Sequence, residues 1–195
     1  MKVTPQVLKQ GDLLFVVGNN SAFSQAISDA TVFNDSLSFV HVAILDSISH
    51  GYYQVIEASP DEGVRGVELE KFLENCPKIN EKPGVVVKRI TVDYSPFDAL
   101  SKAKSHLGEG YDWWYMPENG KMYCSELVYE SFFDHNGNRI FKSQPMNFRN
   151  QDGSMPDFWI KLFEQLGKPV PEGMEGTNPN DMAKDSVIVE IYRYF

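Results

Sequence analysis

The chain has 195 residues, a mass of 22.2 kDa, and 18 basic against 27 acidic side chains, for a net charge of −9 and a pI near 4.9. One domain spanning residues 1–195 is expected at this length, able to bury about 70% of the surface its unfolded form exposes. The acidic balance argues against nucleic acid or anionic lipid as general partners, no apolar run approaches the ~18 residues of a membrane span, and two cysteines make no disulfide framework.

The start, Met1-Lys2-Val3-Thr4-Pro5, lacks the apolar stretch of a signal peptide. As written this points to the cytoplasm; a removed leader would instead place the protein in the cell envelope or outside the cell. Composition sets no oligomeric state.

In chain order, Leu13 to Val17 reads as a buried strand ending at Gly18-Asn19-Asn20. Ser21 to Asp29 has helical spacing, and Phe33 to Ser38 is a loop. Phe39 to Leu45 is a strand apolar on both faces, Asp46 to Gly51 a turn region, and Tyr53 to Ala58 the next strand. Ser59 to Gly63 breaks it. Glu68 to Asn75 is a short helix stopped by Cys76-Pro77, and Gly84 to Val92 a valine-rich strand. Ser95-Pro96-Phe97-Asp98 is a strong helix start, with Ser at the cap, Pro at the first helical position and an acid at the third. Gly110 to Gly120 is an aromatic loop. Cys124 to His135 is a helix, Ser154-Met155-Pro156-Asp157 opens another that runs to Gly167, Lys168 to Asn180 is an ordered loop, and Val187 to Tyr194 is a last strand. This mixture predicts an α+β fold, a mostly antiparallel sheet with helices on one side.

Of four histidines, His50 falls in a turn, while His106 and His135 fall near helix C-termini, where a favourable dipole contact accounts for them. His41 stands mid-strand in Phe39-Val40-His41-Val42-Ala43-Ile44-Leu45. A buried imidazole needs partners for its nitrogens. If the flanking strands form a hairpin centred on Ser49, His41 lies directly opposite Glu57, itself oddly placed in the apolar strand Tyr53-Gln54-Val55-Ile56-Glu57-Ala58. Such a carboxylate would orient the ring and stabilise imidazolium; the plain alternative is a surface Glu on a half-exposed strand.

Cys124 opens its helix, and positions 124, 127, 128 and 131 share one face. The helix start and a neighbouring imidazolium would favour thiolate, whereas a small buried hydrophobe is the alternative reading, and the one that suits Cys76. No metal-ligand spacing and no glycine-rich phosphate loop after a strand occurs, so neither metal nor cofactor is expected.

Taken in order, Gly11-Asp12-Leu13-Leu14-Phe15, Phe39-Val40-His41-Val42-Ala43-Ile44, Val55-Ile56-Glu57-Ala58 and Tyr123-Cys124-Ser125-Glu126-Leu127-Val128 resemble the permuted branch of the NlpC-type papain-like cysteine hydrolases, the YiiX/YebB-like group. Its histidine and acid precede the cysteine, an order shared with the lecithin retinol acyltransferase group. The likeness covers about residues 11 to 130, with a looser echo in Thr177-Asn178-Pro179. It implies a papain-like α+β fold, a sheet or partial barrel packed by helices. It further implies Cys124 as nucleophile, His41 as base, Glu57 as the third polar residue and Tyr111, after Leu107-Gly108, as a tyrosine lining the site.

The sequence departs from ordinary members at Tyr123, where they carry an Asp that helps bind the substrate amine, and at Glu126, where they carry Gly. The implied activity is a cysteine hydrolase cleaving an amide, foremost in a cell-wall (murein) peptide, with no cofactor. The backbone N–H of Cys124 and the Tyr111 hydroxyl would face the oxyanion. Two alternatives stand beside it: an acyltransferase or lipid amidase or esterase with the same triad, favoured by an apolar tunnel lined by Trp113, Trp114, Met116 and Phe132, and a catalytically silent peptide- or lipid-binding module, in which Cys124 would be unreactive.

Overall fold

The computed structural model describes residues 7–30, 37–47 and 52–195. Six strands make its main sheet: β1 (Leu13–Val17), β2 (Phe39–Ser47), β3 (Tyr53–Ser59), β4 (Gly63–Glu68), β5 (Val85–Ile90) and β6 (Ile188–Arg193). They lie in the order β6-β5-β1-β2-β3-β4, each pair antiparallel. The sheet is open, with β6 and β4 at its edges, so the antiparallel sheet of the α+β expectation is present and a closed barrel is not.

Strand β1 sits in the middle because both its faces are apolar, and Leu13, Leu14 and Phe15 are fully buried. Alternation splits the core in two. Leu13, Phe15, Val42, Ile44, Ile56 and Ala58 belong to the larger half, with residues of α3 (Pro96–Ser105), α4 (Cys124–Ser131) and α5 (Asp157–Leu166). Leu14, Val16, Ala43, Leu45 and Val55 belong to the smaller half, closed by Leu69 and Phe72 of α2 (Leu69–Asn75). Helices thus cover both faces, where one had been expected. The remaining helices are α1 (Ala22–Ala30) and α6 (Pro179–Lys184).

Helix α3 starts as read, its Ser95 side chain accepting from the Asp98 N–H at 3.2 Å. Helix α5 ends on Gly167 in the left-handed region. Three elements differ from expectation. Helix α4 stops at Ser131, not His135, because the fully buried Phe132 turns extended and the Asp134 carboxylate draws the N–H groups of Asn136 and Asn138 into a turn, each at 2.8 Å. Helix α6 begins inside the predicted loop and extends past its end, capped by Asn178. Strand β4 lies in a stretch that glycine disguises. Gly63 has φ +71, and a Cβ there would come within 2.2 Å of the Glu109 carbonyl, so only glycine permits the close approach in which Val64 N–H donates to that carbonyl at 2.8 Å.

The β2–β3 register also differs. Ile44 lies opposite Ile56 and Asp46 opposite Gln54, two residues away from a pairing centred on Ser49. An even slip preserves the face on which every side chain lies, so His41 and Glu57 still share one, as diagonal neighbours. Ser49, His50 and residues 33–36 of the predicted loop lie outside the described residues.

Candidate active site

The start of β2, the end of β3 and the start of β4 meet at one end of the sheet, a consequence of antiparallel pairing. Each contributes one polar side chain there. On β2, the pairing with β1 slips between Val16, opposite His41, and Val17, opposite Phe39. Val40 is therefore an extra residue, a bulge that re-aims the side chain after it. His41 Nε2 meets Glu57 Oε2 at 2.7 Å, and Glu57 Oε1 accepts from Arg65 Nε at 3.0 Å and Nη2 at 2.8 Å. Arg65 is the residue directly opposite Glu57 across β3 and β4, and it also pairs with Glu62.

These contacts set the electrostatics. Burial acts to raise the Glu57 carboxyl, but the hydrogen bonds and charges of His41 and Arg65 outweigh it and hold it below the usual range. Burial likewise acts to lower His41; a hydrogen bond with Cys124, then the one with Glu57, and the charges of both outweigh it and push the imidazole up to about 10. With Nε2 committed to Glu57, Nδ1 is the ring nitrogen left for the thiol.

Cys124 is the first residue of α4 and is 5% exposed. Leu127, Val128 and Ser131 are buried with it, as the shared helix face required. Its N–H is one of the helix-start donors without an intrahelical acceptor. The loop before α6, with the first turn of α6, braces this helix start and β2 together. Thr177 Oγ1 donates to Ser125 Oγ at 3.0 Å, Thr177 N–H donates to the Tyr123 hydroxyl at 3.1 Å, and the Asn180 side-chain oxygen accepts from Phe39 N–H at 2.7 Å. Glu126, in the first turn of the helix, accepts from Tyr123 N–H at 3.3 Å, and burial pushes its carboxyl up to about 8.

Two hollows flank the Cys124–His41 pair. On the cysteine side lies a mostly apolar cavity of about 70 Å³, lined by Val40, Tyr111, Tyr115, Met146, Phe148 and Trp159 among others. On the histidine side lies an open polar groove of about 480 Å³ that includes Glu57, Asp61, Glu62, Arg65 and Lys71. Tyr111 is buried within the first, its ring 4.8 Å from that of Trp113. Trp113, Trp114, Met116 and Phe132, expected to line an apolar tunnel, do not line this cavity, and Phe132 is instead wholly within the core. The Tyr115 hydroxyl is buried and faces that of Tyr111, on a backbone with φ +57.

The other titratable candidates lie elsewhere. Cys76 is at the C-terminal cap of α2, its thiol donating to the Phe72 carbonyl at 3.2 Å, and both cysteines are free. His106 caps α3 and pairs with Glu109 at 3.1 Å, and the exposed His135 faces Asp93 at 3.4 Å. Arg65, Tyr115 and Asn180 were not singled out by sequence, and Thr177 entered only within the looser echo Thr177-Asn178-Pro179. For Arg65 the signal lay in the pairing of a strand that glycines conceal.

A sheet carrying histidine and acid upstream of a cysteine at a helix start defines a papain-like cysteine enzyme with its segments in permuted order. The chain belongs to the family of permuted papain-like amidases, YaeF/YiiX, C92, whose model matches residues 7–192. Among curated proteins it is 27% identical over 164 residues to the uncharacterized protein YiiX of Escherichia coli K12, covering 83% of this chain and 74% of that one. Among solved structures it superposes with a TM-score of 0.74 on YiiX from Escherichia coli O157:H7, described as a metalloprotein, at 24% identity and covering 96% and 98% of the two chains. Membership makes the protein a cysteine amidase in the broad sense.

Proposed function

We propose that Cys124, His41 and Glu57 form the catalytic set of this amidase. The observation that carries it is His41 held at 2.7 Å by Glu57 while its ring engages the thiol at the start of α4. The Cys124 thiolate attacks the amide carbonyl, and the carbonyl electron pair moves to oxygen. The Cys124 N–H, with the Tyr111 and Tyr115 hydroxyls of the same cavity, would stabilise that oxyanion. On collapse the C–N bond breaks, and His41 gives its proton to the departing amine. Water then attacks the thioester, His41 takes its proton, and the carboxylic acid leaves as the thiol is restored.

The two hollows suggest how an amide would lie. The leaving amine must be near His41, hence in the polar groove, and the acyl half near Cys124, hence in the apolar cavity. Tyr123 in place of an acid at the cysteine's shoulder agrees with an uncharged acyl half. This favours an amide with an apolar acyl group and a polar amine half. A murein peptide is the second reading, supported by the size and polarity of the groove. No step is routed through a metal: both Glu57 oxygens are engaged by His41 and Arg65, and among the described residues no three His, Cys, Asp or Glu side chains gather to hold one.

Intact-mass measurement after incubation with acyl-amide lipids and, separately, with murein peptides tests this. An acyl adduct on Cys124 from the lipids is expected. An adduct only from the peptides would reverse the order of the two substrates, and a mass gain that survives Cys124→Ala would overturn the mechanism.

A further inference from the structure

Glu57 is shared between two cations. One of its oxygens serves His41; the other accepts two hydrogen bonds from a single guanidinium. Arg65 reaches it from the opposing position on β4, and its remaining nitrogen is tied to Glu62. The guanidinium is therefore fixed at both ends, and the carboxylate at one oxygen, before any substrate arrives. A fork geometry of this kind fixes orientation as well as charge, which a lysine at the same place does not.

We propose that Arg65 is a positioning residue of the amidase, the fourth member of a chain Cys124–His41–Glu57–Arg65, which holds the carboxylate aimed at the imidazole and keeps it ionised in acid. The proposal rests on the catalytic reading of the first three residues. The charged and titratable groups facing this chain are Glu57 and Glu62 against Arg65, Cys124 and Glu57 against His41, Tyr111, Tyr115 and Tyr123 against Cys124, and Cys76 near Glu57. Asp61 and Lys71 border the same groove. Arg65 is the one cation among them that touches the Glu57 carboxylate besides His41.

Removing the guanidinium takes away one of two cations that favour ionised Glu57, so the carboxylate picks up its proton at higher pH. Once it is neutral, His41 loses the charge that supports imidazolium, and the thiol loses its ion-pair partner. Reactivity of Cys124 should then fall at the acid end and change little near neutrality.

Iodoacetamide labelling of Cys124 across pH 5 to 9, read by mass spectrometry, needs no knowledge of the substrate. In Arg65→Gln the rate at pH 5 should fall about threefold or more relative to wild type, with the rate at pH 8 within about twofold. Arg65→Lys, which restores the charge, should recover most of the acid-end rate. In a Glu57→Gln background, Arg65→Gln should change nothing further, because the carboxylate through which it acts is gone. A wild-type far-ultraviolet circular dichroism spectrum and melting curve report that each variant is folded; should Arg65→Gln fail that check, Arg65→Lys against Glu57→Gln,Arg65→Lys carries the comparison, a profile difference that persists without Glu57 counting against the proposal.

A wild-type profile in Arg65→Gln, or the same acid-end loss with and without Glu57, overturns the role assigned to Arg65. If His41→Ala leaves the Cys124 profile unchanged, the catalytic set itself is wrong, and Arg65 falls with it.

Discussion

Two cysteines sit at opposite ends of two helices, and both are nearly buried: Cys124, 5% exposed, begins α4, and Cys76, 8% exposed, ends α2. Burial alone does not tell them apart. At a helix start the backbone offers N–H groups and a partial positive charge; at a helix end it offers carbonyls and a partial negative one. Cys124 accordingly meets unpaired donors and an imidazole held up to about 10. Cys76 spends its proton on the Phe72 carbonyl, and burial, then the nearby Glu57 charge, push its thiol up to about 12. Glu57 thus supports the imidazolium beside one cysteine and suppresses the thiolate of the other.

The sharpest way to break this comparison is by deletion. Cys124→Ala should abolish turnover of any amide the enzyme accepts, since no other group forms the thioester, and His41→Ala should be nearly as severe; Cys76→Ala should retain activity. Loss of turnover in Cys76→Ala equal to that in Cys124→Ala, measured on folded protein, would erase the distinction. Next in size is labelling: at pH 7 Cys124 should react with iodoacetamide about a hundredfold or more faster than Cys76. Glu57→Gln should narrow that gap while costing less activity than His41→Ala, because it keeps a hydrogen bond and loses only the charge. These losses should not add, as the members act as a unit.

A smaller effect is expected from the brace. Asn180→Ala leaves the Phe39 N–H without its acceptor in a buried setting, which should lower stability by about 1–3 kcal/mol in denaturant titration. The last concerns Glu126. Its carboxyl binds a proton more tightly folded, at about 8, than its ordinary value of 4.5. Its contribution to stability is therefore full below about 4.5 and is lost as pH rises through about 8. Glu126→Gln mimics the protonated form and keeps an acceptor for Tyr123 N–H, so it should raise the melting temperature at pH 8.5 more than at pH 4.5. An equal change at both would show that the carboxyl titrates as it does in the unfolded chain.

Much of this was legible in the residues because local physics dominated. The apolar run Leu13 to Val17 fits only a buried strand, and Ser95-Pro96-Phe97-Asp98 carries its own cap. His41 and Glu57 stood out as polar side chains in apolar strands, and their meeting survived a register error of two because the pleat repeats every two residues. The rest depended on partners far along the chain. Strand β4 begins at Gly63, carries Gly66 within it, and joins β3 through pairing that no periodicity announces. Arg65 was therefore invisible as a neighbour of Glu57. Phe132 looked helical and turned away because the core needed its ring. The apolar cavity is assembled from Val40, Tyr115, Met146 and Trp159, segments whose convergence is a tertiary fact.

The brace between Phe39 and Asn180 has a consequence in time. The two residues are 141 positions apart, so a ribosome adding about 5–20 residues per second makes the second roughly 7–28 s after the first. During that interval the strand of His41, and later the helix of Cys124, rely on their own packing alone, without the brace between them. The site is thereby left without this tie until Asn180 has been made, and a polypeptide released before Thr177 is expected to show slower Cys124 labelling than the 195-residue chain.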